Sequence, residues 1–147
     1  MADTKLQASL GNIAEICIVT PDCKKTIEGY AAMGIGPFTI YEFTEETVQG
    51  REWHGKAGDF TLRVAFADVG NVTWEIIQHV GGESLMADYL KQNGNRQGIQ
   101  HVAFDMKDVP MKQRIGTMAD KGIKPASKST DDEPSATSTN TVADFSL

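Results

Sequence analysis

Ile99-Gln100-His101-Val102-Ala103-Phe104 follows the pattern of Ile13-Ala14-Glu15-Ile16-Cys17-Ile18, 86 positions earlier. Both runs are apolar and β-branched enough to read as largely buried strands. After the first, Thr20-Pro21-Asp22 suits a helix start, with Thr20 as cap and Pro21 at the first helical position, where a missing N–H costs nothing. Asp108 repeats Asp22 at the same offset, as a capping aspartate before a second helical stretch. Cys23, Ile27, Tyr30 and Ala31 recur at helical spacing in the first helix; Val109, Met111, Ile115, Met118 and Ala119 do so in the second. Gly34-Ile35 ends one helix and Gly122-Ile123 the other. That closing offset is 88, so the second helix is expected to be about two residues longer. Strand, cap, helix and terminal glycine recurring in register indicate an internal duplication.

Between the repeats the chain reads as strands. Gly34-Ile35-Gly36-Pro37 turns into a strand over Phe38 to Thr44, and a shorter strand is expected over Val48 to Trp53. Asp59 to Val69 carries Phe60, Leu62, Val64 and Phe66 in alternation, and Gly70-Asn71 turns it into Val72 to Gln78. A short connector helix, Ser84 to Gln92, stops at Asn93-Gly94. From Pro125 onward Ser and Thr crowd a stretch that also holds Asp131-Asp132-Glu133, a composition suited to a solvated loop or tail. Only Thr141 to Leu147 could pair there as a strand, so the second half is expected to be incomplete. At 147 residues the chain is one domain's worth of polymer, divided into a module at 12–80, a connector at 83–94 and a second module at 97–147 with a polar stretch at 125–140.

Composition narrows the function. Apolar residues make up 40% and charged residues 23%, as in ordinary globular proteins. The net charge of −6 disfavours nucleic acid and anionic membranes as partners, because no basic cluster could neutralise phosphates. No window approaches the ~18 apolar residues of a membrane span, and no signal-peptide pattern follows Met1. The two cysteines, Cys17 in a strand and Cys23 at a helix start, are poorly placed for a structural bridge and suit a reduced, cytoplasmic protein.

Alternate residues of a strand share a face, so Glu15 lies with Ile13, Cys17 and Val19, and His101 with Ile99 and Ala103. The offset makes Glu15 and His101 equivalent, and a pseudo-twofold would aim both into one shared cavity. Glu75, set between Trp74 and Ile76, is an acid in an apolar strand, costly unless paired, protonated or bound to a cation. Glu and His from separate strands form a ligand set suited to divalent Zn, Fe, Mn, Co or Ni. Each has a plain structural alternative: Glu15 solvated near a strand end, His101 a hydrogen-bonded core histidine, Glu75 a paired core acid. His54 reads as exposed in a hairpin, His79 as a loop residue, Asp59 as a turn residue, and the two Trp as packing groups. Neither cysteine has the cationic surroundings of an activated thiolate. No phosphate-cradling glycine loop occurs, since Gly34-Ile35-Gly36-Pro37 lacks a third glycine and leads into a strand.

Ile18-Val19-Thr20-Pro21-Asp22, Gly34-Ile35-Gly36-Pro37-Phe38, Trp74-Glu75-Ile76-Ile77-Gln78 and Gly98-Ile99-Gln100-His101-Val102-Ala103-Phe104 together resemble the vicinal oxygen chelate superfamily, which includes glyoxalase I, bleomycin-resistance proteins, extradiol dioxygenases and methylmalonyl-CoA epimerase. The resemblance is closest to the epimerase-like branch and covers roughly residues 12–124. It implies an α+β fold of paired βαβββ modules, an open cupped mixed sheet with helices on its outer face, here with an incomplete second module. It also implies a divalent metal held by the first and last strands of each module. Carried over, His101 is the first-strand ligand of the second module and Glu75 the last-strand ligand of the first. Glu15 stands where His or Gln is usual, and Asp144 is near the region of a fourth ligand without matching it.

The implied activity is a metal-dependent isomerase, epimerase or lyase acting on a small oxygenated carbonyl or carboxylate substrate, with Glu15 as the candidate base if it does not bind metal. A non-catalytic, resistance-type binder of small molecules is the alternative. A third reading has another chain completing the second half by strand pairing. The expected partners are a small-molecule substrate and a second copy of the chain.

Overall fold

The computed structural model describes residues 11–105, 109–128 and 144–145. Strand β1 (Ile13–Thr20) and helix α1 (Cys23–Ala32) lead into β2 (Thr39–Phe43), the small hairpin β3 (Glu52–Trp53) and β4 (Lys56–Ala57), then the long pair β5 (Thr61–Val69) and β6 (Val72–Gly81). Helix α2 (Leu85–Gln92) connects to β7 (Gly98–Phe104), α3 (Met111–Asp120), β8 (Pro125–Lys128) and β9 (Asp144–Phe145). The fold is α+β. Its main sheet is open and mixed, in the order β2-β5-β6-β1-β7, with β1 parallel to β6 and antiparallel to β7. A smaller sheet orders β4-β3-β8-β9, so the Ser-rich stretch begins with a strand, and Asp144–Phe145 pairs with it. Residues 129–143 lie outside those described.

Alternation along β1 divides the core between two faces. Cys17 and Val19 join Leu62, Val64 and Ile77 on one face, with Met86 and Leu90 of α2 packed against them. Cys23 of α1 packs with Ala65 and Ile76 on the other, flanked by Ile27, Tyr30, Phe38 and Trp74. Helix α1 thus covers the outer face. The polar residues Glu15, Glu75 and His101 lie on the same inner face as Cys17. No helix among the described residues is long and apolar enough to cross a membrane.

The helix ends test the duplication. Asp22, not Thr20, caps α1: its carboxylate accepts from Lys25 N at 3.0 Å. Pro21 therefore precedes the cap. Thr20 is buried instead, its hydroxyl 2.8 Å from that of Thr26. The two helices are equally long, ten residues each, contrary to the expected two-residue excess in α3. Since both their starts and their ends differ by 88, the two additional residues lie before α3. Its cap is Pro110, which offers no side-chain bond; Asp108 lies outside the described residues. The C-terminal turns repeat closely. Ile35 N donates to Tyr30 O at 3.0 Å and Ile123 N to Met118 O at 2.9 Å, each just after a glycine with positive φ.

Candidate functional site

Three adjacent strands bring the polar residues together. In the pairing register, Cys17 lies opposite Glu75 on β6 and opposite His101 on β7. Phe66 lies opposite Glu75, and Thr39 opposite Phe66. One row of the inner face therefore reads Thr39, Phe66, Glu75, Cys17, His101 across all five strands. The adjacent row reads Asp68, Thr73, Glu15, Ala103. An offset of 86 converts the Cys17–His101 pair into the Ala103–Glu15 pair, so the ladder itself obeys the pseudo-twofold.

His101 is the hub. Its Nε2 lies 3.9 Å from Glu75 Oε2 and 4.0 Å from Glu15 Oε1. On the far side of the ring, Nδ1 meets Gln100 Oε1. A carbonyl oxygen only accepts, so Nδ1 is the donor of that pair, and Nε2 is the ring nitrogen nearest the two carboxylates. All three side chains are largely buried, with exposures of 10% for Glu75, 15% for Glu15 and 17% for His101. Two carboxylates beside one imidazole, all largely buried, form a donor set of the kind that holds a cation.

Cys17 stands in the same row, and sequence reasoning missed it. Its Sγ, a Glu75 carboxylate oxygen and a His101 ring nitrogen all lie within 4.8 Å of one another. The chemistry of these donors, a thiol, a carboxylate and an imidazole with a second carboxylate beside them, fits a divalent transition ion. The available signal is the shared face of Glu15 and Cys17; what it lacks is the register with β6 and β7.

The other residues weighed from the sequence fall elsewhere. His54 is exposed in the β3–β4 hairpin. His79 is not a loop residue but part of β6, its Nδ1 3.1 Å from the Ser84 hydroxyl that caps α2. Burial pushes the His79 imidazole below its ordinary range. Asp59 is exposed and accepts from Glu83 N at 3.3 Å. Cys23, on the outer face, donates its backbone N–H to Gln78, and burial pushes its thiol up. Trp74 packs edge-on against Tyr30 at 5.3 Å. Asp144 sits in β9, in the smaller sheet.

Several solved structures share this fold. A methylmalonyl-CoA epimerase in complex with methylmalonyl-CoA and NH4+ is 22% identical, with a TM-score of 0.59 over 80% of this chain and 74% of that one. A single-residue variant of the Streptomyces coelicolor methylmalonyl-CoA epimerase, in complex with 2-nitronate-propionyl-CoA, is 20% identical, with a TM-score of 0.59 over 83% of this chain and 86% of that one. The epimerase from Mycobacterium tuberculosis is 19% identical, with a TM-score of 0.54 over 84% and 73% of the two chains. A search of curated protein sequences finds no match. The profile of the Glyoxalase/Bleomycin resistance protein/Dioxygenase superfamily matches residues 15–140. The chain belongs to that superfamily, the vicinal oxygen chelate group.

Proposed function

We propose that the chain is a metal-dependent enzyme of the isomerase, epimerase or lyase type, acting on a small carbonyl or carboxylate compound that presents two oxygens. The observation that carries this reading is the convergence of Glu15, Glu75 and His101 from three adjacent strands, with both carboxylates within 4.0 Å of one imidazole nitrogen. Glu75 and His101 would hold a divalent ion of the Zn, Fe, Mn, Co or Ni group, with Glu15 beside them as ligand or proton acceptor. Held there, such an ion would supply Lewis-acid stabilisation of negative charge developing on substrate oxygens.

The chain's own groups do the rest. Gln100 holds the His101 ring through Nδ1, with Nε2 on the side of Glu15 and Glu75. Phe66, packed against Tyr41 at 5.9 Å, provides an apolar wall next to Glu75 that would exclude water from the reacting carbon. The epimerase neighbours make a 2-methylmalonyl thioester the first substrate to try. A homodimer belongs to the same proposal, supported by the exposed Ile99, Val102 and Phe104 on β7.

The test is metal analysis of the purified chain, with exchange of the substrate's α-proton for solvent deuterium. A divalent ion should be retained or restorable, and lost in Glu75→Gln and His101→Ala. Glu15→Gln should slow exchange by about 10²-fold or more, the range of a general base. No ion retained or restored, with stability unchanged after chelation, would sink the reading. Ligand-induced thermal shifts that survive Glu75→Gln and His101→Ala would favour a non-catalytic binder instead.

A further inference from the structure

Of the two cysteines, both completely buried, Cys17 is the one that joins a group of three ligand-type donors among the described residues. Cys23 packs under α1 with Ala65, Ile76 and Trp74. Cys17 sits in the middle of a row, with Glu75 directly opposite on one neighbouring strand and His101 directly opposite on the other. We propose that Cys17 is a thiolate ligand of the ion held by Glu75 and His101, and that it makes the site select thiophilic divalent ions of the zinc class. The inference rests on the metal-dependent reading above and supplies the ligand that reading lacked.

The geometry favours this set over the one drawn from the sequence. The described residues that bring three donor atoms within 4.8 Å of one another at this site are Cys17, Glu75 and His101, without Glu15. One sulfur, one nitrogen and one carboxylate oxygen make three protein ligands, which leaves one tetrahedral position for substrate or water. As the Sγ–metal bond forms, the thiol proton passes to solvent. The thiolate and the Glu75 carboxylate then balance a dication, and His101 ligates as a neutral imidazole. Glu15, 4.0 Å from His101 Nε2, is left beside the set as a proton acceptor. A soft sulfur donor discriminates against Mg²⁺ and Ca²⁺, which prefer oxygen. The ligand type therefore sets the metal class.

Cobalt(II) substitution of the full chain tests this without reference to turnover. The native chain and Cys23→Ser should both bind cobalt with a sulfur-to-cobalt charge-transfer band in the near ultraviolet. Cys17→Ser should lose the band and bind zinc at least about tenfold more weakly, a loss no smaller than that of a disrupted outer-shell partner. Zinc should raise the thermal midpoint of the native chain where excess magnesium does not. Cobalt bound to the native chain without the band, or a band surviving in Cys17→Ser, overturns the role of Cys17 and leaves the metal reading standing. Equal shifts by zinc and magnesium overturn the selectivity. Failure of the native chain to bind either cobalt or zinc removes both proposals. The native spectrum decides the question even if Cys17→Ser misfolds, and Cys17→Ala provides a second variant for the band.

Discussion

Strands β1 and β7 carry the same pattern 86 residues apart, yet one is core and the other is rim. β1 is paired on both edges, with β6 and β7; among the described residues β7 is paired only with β1. Ile18 is 1% exposed, and its repeat mate Phe104 is 40% exposed. The helices differ likewise. Helix α1 is tied down by a bond from Cys23 N to Gln78 Oε1 and by the buried Thr20–Thr26 hydroxyl pair, from which Thr26 also donates to the exposed Gln97, whereas none of the described α3 side chains is fully buried. The pattern of a strand states which face is apolar. What is laid beside and above it decides whether that face is buried.

The largest effect should come from the mated core positions. Ile18→Ala should cost about 3 kcal/mol in urea denaturation, the range for deleting a buried aliphatic side chain. Phe104→Ala should cost about 1 kcal/mol or less, as at partly exposed sites. A similar loss at both would break the contrast between core and rim. The helix ends should behave alike in the two halves. Gly34 and Gly122 have φ of 91° and 78° and open space where a Cβ would stand. Alanine at either should therefore cost about 1 kcal/mol through backbone strain alone. The caps should behave differently: Asp22→Ala should cost about 1 kcal/mol, while Pro110 has no side-chain cap bond to lose.

The smallest effect is a pH dependence confined to the first half. Burial holds His79 below its ordinary value of 6.5 in the folded chain. The unfolded chain therefore binds the proton first as pH falls, so stability should drop below about pH 6.5 and level off above it. The urea midpoint measured from pH 7.5 to 5 should fall less steeply in His79→Gln than in the native chain. A steeper fall in the variant would show that other groups control this window.

Alternation and offset make much of this legible. Glu15, Glu75 and His101 stand out from local pattern, and the structure brings the three together. What stays hidden in the sequence is nonlocal. The row of Cys17 depends on how β1 registers against two strands tens of residues away, and a slip of one residue would turn it to the other face. His79 belongs to a strand because Leu62 pairs with it, information that is absent near residue 79. The shift of the cap from Thr20 to Asp22 reflects a burial choice: Thr20 finds Thr26 in the core, and the exposed Asp22 takes the helix N-terminus. The two additional residues of the second half can be counted from the repeat, but only the helix bounds place them ahead of α3.

The row Thr39, Phe66, Glu75, Cys17, His101 acts as a peg-board. Its pegs are spaced by the backbone ladder, about 4.8 Å from strand to strand, whatever side chain each carries. A change of residue at one peg changes the chemistry offered there without moving its neighbours. Such a sheet can be refitted for another ion or another reaction one peg at a time, its frame held by the core beneath.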